Sequence, residues 1–317
     1  MPMKPTRLLL TATLTSLLLA GCASRPATAP VAAPAPSTTP TSSGPALVHP
    51  ALLPVLYQQT AAEYEATVRG IYHTARLALN AALADPGWQA LTEPVAQGFE
   101  QLPPAIIVDA DETVIDNSAY LARKIKTGEG HADADFAAWA EERRATALPG
   151  AVEFLQEAAR RGVRVYYVTN RDKPQTVATA DNLARLGFPD AVPANVLARD
   201  GVSEKSARRL SIAAQHRVIL MFGDNLGDFT DCYKARPADD GRDSCTGLPA
   251  NTDAVALRRE VIRKHGDWWG VRWFMLPNPS YGSWEGALYG FQRPTDPAEA
   301  RRAAEARLNL AKDAPAP

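Results

Sequence analysis

The chain is poor in the residues that most often announce a catalytic chemistry on their own. It has 3 cysteines and 5 histidines in 317 residues. His49, His73, His131, His216 and His265 are scattered without metal-ligand spacing, which argues against a zinc centre. Neither sign of charge dominates. With 34 basic and 35 acidic residues, the chain does not call for an extended nucleic-acid polymer as partner. The pairs Arg208-Arg209, Arg258-Arg259 and Arg301-Arg302 read as solvated helix faces. No apolar run reaches the roughly 20 residues that a membrane-crossing helix needs. The absence of any internal repeat excludes a solenoid.

What is present begins with an address. Lys4 and Arg7 precede the apolar run Leu8 to Ala20, the pattern of a signal peptide occupying residues 1–21. Leu19-Ala20-Gly21-Cys22 resembles the lipobox of bacterial lipoproteins. That resemblance implies cleavage before Cys22, lipidation of its thiol, and contact with the membrane through this anchor alone. Ala23 and Ser24 follow, not aspartate, which by analogy with Gram-negative sorting implies the outer membrane. Up to Pro45 the chain is mostly Pro, Ala, Ser and Thr, so 22–45 is expected to be a lipidated N-terminus and disordered tether. Residues 46–317 are long enough for one sizeable core or for a core with a cap. Cys232 and Cys245 flank a polar loop reading, Tyr233 to Ser244, and in an oxidising compartment the two can pair.

The most informative stretch is Asp109-Ala110-Asp111-Glu112-Thr113, directly after the apolar run Ala105 to Val108. A short, uninterrupted, β-branched run suits a central strand buried on both faces. Open α/β sheets hold ligands outside the carboxyl ends of their strands, where Asp109 and Asp111 would stand. Two such acids repel unless a proton or cation lies between them.

Further along, Leu52 to Ala84 has helical periodicity, with Leu53, Leu56, Tyr57, Tyr64, Val68, Ile71, Tyr72 and Leu77 as its apolar positions. A helix after Leu148-Pro149-Gly150 is expected to end at Gly162, and a strand follows over Val163–Val168. Val177–Leu186 reads as helix, Val196-Leu197 as a weak strand, and Val218–Phe222 as a third buried strand. Ser203 is the expected cap of a helix running through Ile212, and Asp296–Lys312 reads as an amphipathic helix. Alternating strands and helices predict an α/β fold, a parallel sheet with helices on both faces. The N-terminal helices and the segment 117–146 fall outside the alternation and are expected to form a smaller helical cap.

Four features fall at strand ends or helix starts: the Asp109–Thr113 motif, Val168-Thr169-Asn170-Arg171, Lys205, and Gly223-Asp224-Asn225-Leu226-Gly227-Asp228-Phe229. Together they suit phosphomonoester hydrolysis, which can proceed in two steps through a carboxylate nucleophile. A divalent cation relieves repulsion between that carboxylate and the dianion, and Mg²⁺ favours such oxygen ligands. A second carboxylate can move the proton, while a lysine and a hydroxyl hold phosphoryl oxygens. Other phosphatase chemistries lack their residues: neither Cys232 nor Cys245 begins a C-x5-R loop, and His265 lacks an RHG context.

The four motifs, in this order, resemble the haloacid-dehalogenase (HAD) superfamily. The strings Ile106 to Tyr120, Leu148 to Phe154 and Phe222 to Phe229 are similar to the class C bacterial acid phosphatases, outer-membrane lipoproteins. This resemblance implies a Rossmann-like HAD core with a helical cap, Mg²⁺ as cofactor, and small phosphomonoesters, including nucleoside 5′-monophosphates, as substrates. It implies that Asp109 is the nucleophile and Asp111 the general acid/base. The cation would be held by Asp109, Asp111 through its backbone carbonyl, and Asp224, with Asp228 holding a metal-bound water or orienting the lysine. Thr169, Asn170 and Lys205 would bind phosphoryl oxygens. Tyr281, with Phe136 or Trp139 from the cap, would stack on the leaving group. Trp268, Trp269 and Trp273 read as packing. Phosphoryl transfer to another alcohol and a tethered binding lipoprotein without catalysis are the alternatives.

Overall fold

The computed structural model describes residues 49–234, 245, 247–248 and 253–309. The leader, Cys22, the tether and most of the Tyr233–Ser244 loop lie outside the described residues, as does the end of the expected C-terminal helix.

Two helices, α1 (Leu52–Thr60) and α2 (Ala62–Ala84), precede β1 (Pro104–Val108). Next come β2 (Ile115–Asp116), α3 (Ser118–Thr127), α4 (Asp133–Glu142) and β3 (Thr146–Ala147). The alternation then runs α5 (Ala151–Arg160), β4 (Arg164–Asp172), α6 (Thr176–Arg185), β5 (Val196–Arg199), α7 (Ser206–Ala213) and β6 (Arg217–Gly223). It closes with α8 (Ala254–Lys264), β7 (Trp273–Met275), α9 (Ser283–Leu288) and α10 (Pro297–Glu305).

The main sheet is parallel throughout, in the order β5-β4-β1-β6-β7. Side chains alternate across a strand, and β1 uses both faces. Ile106 and Val108 join one apolar cluster, Ala105 and Ile107 the other. In β6 the register against β1 skips one residue, from Val218 to Leu220. This bulge lets Ile219 and Leu220 both serve the first cluster, with Val218 and Met221 on the opposite face. Helices α2, α5 and α6 cover the first face and α7 the second. The chain runs outward from β1 through β4 to β5, then returns to β6 on β1's other side. Such a switch point leaves a crevice beyond the carboxyl end of β1.

The structure revises several expectations. Helix α2 is not part of a cap: Tyr64, Val68, Tyr72, Ala75, Leu79 and Ala82 form a buried stripe against the sheet. So long an apolar stripe needs a sheet face, not a small cap. The cap consists of α3, α4 and the short antiparallel pair β2-β3, with α1 packed on α3. Leu53, Leu56, Tyr57 and Leu77 share the periodicity but are exposed. Ser203 does not cap α7, which begins after Lys205; its hydroxyl turns to Glu204. The short strand β7 was not foreseen as a strand, although Trp273 is fully buried packing, its Nε1 donating to the Ala90 carbonyl at 2.7 Å. Arg208-Arg209 is not a solvated face, because Arg209 is completely buried. No helix among the described residues is long and apolar enough to cross a membrane.

Candidate active site

The crevice beyond β1 is bounded by residues that chain order keeps far apart. Asp109 follows the last residue of β1, and Thr169–Arg171 lie in the final stretch of β4. Lys205 stands at the N-terminal boundary of α7, and the turn after β6 carries Asp224 and Asp228. One carboxylate oxygen from each of Asp109, Asp224 and Asp228 lies within 4.8 Å of the others.

Lys205 is the cation among them. Its buried Nζ donates to Asp109 Oδ1 at 2.5 Å, to Asp228 Oδ1 at 2.7 Å and to the Val168 carbonyl at 2.6 Å. Three donors thus find three acceptors, which is what allows an ammonium to be buried at all. Burial works against its charge, but Asp109 and Asp228 outweigh it and hold the lysine's pKa above the ordinary value. The other oxygen of Asp228 accepts the Asn225 N–H at 2.9 Å, closing the turn on itself. Gly223 leaves room for this: a Cβ there would lie 2.3 Å from that of Asp228.

The carboxylates are not at ease. Burial, above all, pushes Asp109 up to about 7; Lys205 opposes this, while Asp228 and Asp111 add to it. Asp224 is raised well above the usual carboxylate range, by desolvation first and then by Asp228 and Asp109. Its Oδ2 accepts from Asn278 Nδ2 at 2.7 Å. One ammonium does not balance such a cluster. A set made only of oxygen donors, mutually repelling and partly desolvated, fits a hard divalent cation of the Mg²⁺ kind.

Asp111 lines the same cleft but is held by other partners. Its carboxylate is gripped by Arg171, with Nη2 at 2.8 Å and Nε at 3.0 and 3.2 Å, and it accepts from Asn117 Nδ2 at 2.8 Å. Arg171 and Asn117 lie within the motifs, yet the sequence assigns neither a role. A carboxylate meeting a buried arginine cannot be inferred from spacing, since the partners are 60 residues apart. Thr169, expected to bind a phosphoryl oxygen, is instead wholly buried and does not line the cleft, its Oγ1 3.4 Å from Asp111 Oδ2 and accepting the Arg171 N–H at 3.1 Å. Asn170 is exposed at the cleft, where its Oδ1 accepts from Arg208 at 2.8 Å.

Phe136 and Tyr281 both line the cleft, whose volume is about 790 Å³. Trp139 does not, which corrects its proposed stacking role. It is cap core, with Arg123 4.8 Å over its ring and Nε1 donating to Asn117 Oδ1 at 2.8 Å. Its indole therefore braces the asparagine that braces Asp111. The thiols of Cys232 and Cys245 are joined in a disulfide, with Cα atoms 5.3 Å apart, just beyond the acidic turn.

The family described as HAD superfamily, subfamily IIIB (acid phosphatase), matches residues 22–284. Among solved structures, the class C acid phosphatase of Bacillus anthracis is similar at 34% identity with a TM-score of 0.67, covering 82% of this chain and 96% of that one. A second structure of the class C acid phosphatase from that organism, with tungstate bound, is similar at 34% identity with a TM-score of 0.69, covering 83% and 98%. Acid phosphatase 1 of Solanum lycopersicum is 25% identical over 183 residues, 55% of this chain. The chain spans 57% of that plant relative's length. With the catalytic-type cluster at the switch point of a parallel sheet, and with a family match covering most of its length, the chain belongs to the HAD superfamily, subfamily IIIB, the acid phosphatases.

Proposed function

We propose that the protein is a Mg²⁺-dependent phosphomonoesterase that acts through a phosphoryl-aspartate on Asp109. The observation that carries this reading is the buried cluster of Asp109, Asp224 and Asp228, with Lys205 bonded to two of them. Bound there by Asp109, Asp224 and the Asp111 backbone, Mg²⁺ would offset the charge of the substrate dianion and keep Asp109 ionised. Asp109 attacks phosphorus as the P–O bond to the leaving alcohol breaks, and Asp111 delivers the proton to that alcohol. Water then attacks the phosphoryl-aspartate, Asp111 takes back a proton, and phosphate leaves with Asp109 restored. Lys205, exchanging one of its three acceptors for the substrate, and Asn170 hold phosphoryl oxygens, Thr169 steadies Asp111 from behind, and Asp228 orients Lys205. Support for the anion site comes from the tungstate, a phosphate-like oxyanion, bound by the similar Bacillus anthracis structure.

As substrates we propose nucleoside 5′-monophosphates, from which the nucleoside departs as the alcohol. Phe136 and Tyr281 offer faces on which a base can stack, worth roughly 1–3 kcal/mol per base, and the cleft is of ligand size. We further propose export and anchoring through Cys22 at the outer membrane, on the strength of the lipobox pattern.

The test is phosphate release from p-nitrophenyl phosphate and from nucleoside monophosphates by the purified protein. Activity is expected to vanish on chelation, return with Mg²⁺, and be absent in Asp109→Asn. Full activity after exhaustive chelation, or in that variant, would refute the reading.

A further inference from the structure

Arg209 touches neither Asp109 nor Lys205's ammonium, yet it is among the largest side chains with no exposed surface. A buried guanidinium must be fully compensated. Its partners converge from two distant parts of the chain. Glu93, from the segment ahead of β1, accepts from Arg209 Nε at 2.9 Å and also from Nη2. The backbone carbonyl of Asp228 accepts from Nη1 at 3.2 Å, and Asp231 Oδ1 lies 3.4 Å from Nη2.

Asp231, itself fully buried, then reaches α7. Its Oδ1 accepts the N–H of Lys205 and its Oδ2 that of Ser206, each at 3.1 Å. These are first-turn amides that a helix cannot satisfy internally, and a carboxylate there is also favoured by the helix dipole. One guanidinium thus holds the backbone of Asp228 directly and the backbone of Lys205 through Asp231. Those residues stand on separate elements, yet their side chains must meet at 2.7 Å.

We propose that Glu93, Arg209 and Asp231 form a positioning network that sets Lys205 against Asp228 and Asp109, and so aligns the phosphoryl cradle. The inference rests on the proposed role of Lys205 in binding the phosphoryl group. Burial alone does not require such a network, because apolar replacements of buried ion pairs are often as stable. The distinguishing consequence is kinetic.

The test is a double-mutant cycle of Asp231→Asn with Lys205→Ala in the full protein. It is read as kcat/KM for p-nitrophenyl phosphate and as Kd for inorganic phosphate. A misplacement of about 1 Å can cost about 100-fold, so Asp231→Asn is expected to lose roughly 10- to 100-fold when Lys205 is present. With Lys205 removed, the same change should cost less than about 3-fold in either quantity, because coupled residues are not additive. Equal losses in both backgrounds, or wild-type values in Asp231→Asn, would overturn the inference while leaving the site reading intact. Wild-type activity and phosphate affinity in Lys205→Ala would overturn both. Should Asp231→Asn fail to fold, Glu93→Gln takes its place under the same criterion, since Glu93 reaches the site only through Arg209.

Discussion

Adding a single methyl group at Gly223 is expected to disable the protein with little loss of fold. Gly223 ends β6 and immediately precedes Asp224. A Cβ built there meets Asp228 Cβ at 2.3 Å, Oδ2 at 2.3 Å and Cγ at 2.6 Å, whereas ordinary contact begins at 3.4 Å. Either the Asp228 side chain or the strand end must therefore move by roughly 1 Å, the difference between those distances. Asp228 has no slack, since one oxygen holds Lys205 and the other holds the Asn225 N–H. Overpacking of this kind costs about 1–3 kcal/mol, and each kcal/mol lowers the melting temperature of a domain this size by about 2–4 °C. Passed on through the Asp228 contact to Lys205, which we propose binds the phosphoryl group, a displacement of about 1 Å can cost about 100-fold in rate. Gly223→Ala should thus melt only several degrees below the parent yet lose about two orders of magnitude in kcat/KM, measured by circular dichroism and p-nitrophenyl phosphate turnover. Near-parental turnover would show that the Asp228–Lys205 contact is dispensable, and the geometric reasoning would fail with it.

The remaining expectations concern the disulfide and the acid cluster. With Cys232 and Cys245 separated by 13 in sequence, chain-entropy loss on closing the loop contributes about 3 kcal/mol. Replacing both by alanine should lower the melting temperature by about 6–12 °C; an unchanged melting temperature would mean the bond does not constrain the domain. In chelator, Asp109 carries a folded pKa of about 7, above its unfolded value, and Asp224 is raised likewise. The folded state then binds more protons than the unfolded one below pH 7, so their destabilising ionisation is relieved as pH falls from about 7 towards 4. The metal-free protein should melt higher at pH 5.5 than at pH 8, and Mg²⁺ should raise the melting temperature more at pH 8. A metal response that is larger at the acidic end would contradict this.

Much of the site was legible because its parts are local. Asp109, Asp111, Asp224 and Asp228 sit beside apolar runs whose length and β-branching mark buried strands, and a parallel sheet gathers such strand ends on one side. What misled was periodicity without context. Leu53, Leu56 and Tyr57 repeat like a buried face and are exposed; Arg208-Arg209 repeats like a solvated face, and Arg209 is wholly buried. An apolar or charged stripe states which residues share a side, but not what that side meets. Trp139 suffered similarly, since an aromatic in a cap can serve ligand or core, and only its bond to Asn117 decides.

By itself, then, the sequence determined the class of fold, four of the five strands of the main sheet and the residues able to do the chemistry, because local pattern follows from short-range sterics and burial. The tertiary structure alone decided the pairings: Lys205 across 96 residues to Asp109, Arg171 across 60 to Asp111, and Arg209 across 116 to Glu93. Every polar or charged side chain can bond to many others, so composition cannot choose among them. The choice is made when packing removes water and leaves each buried charge within reach of only a few partners.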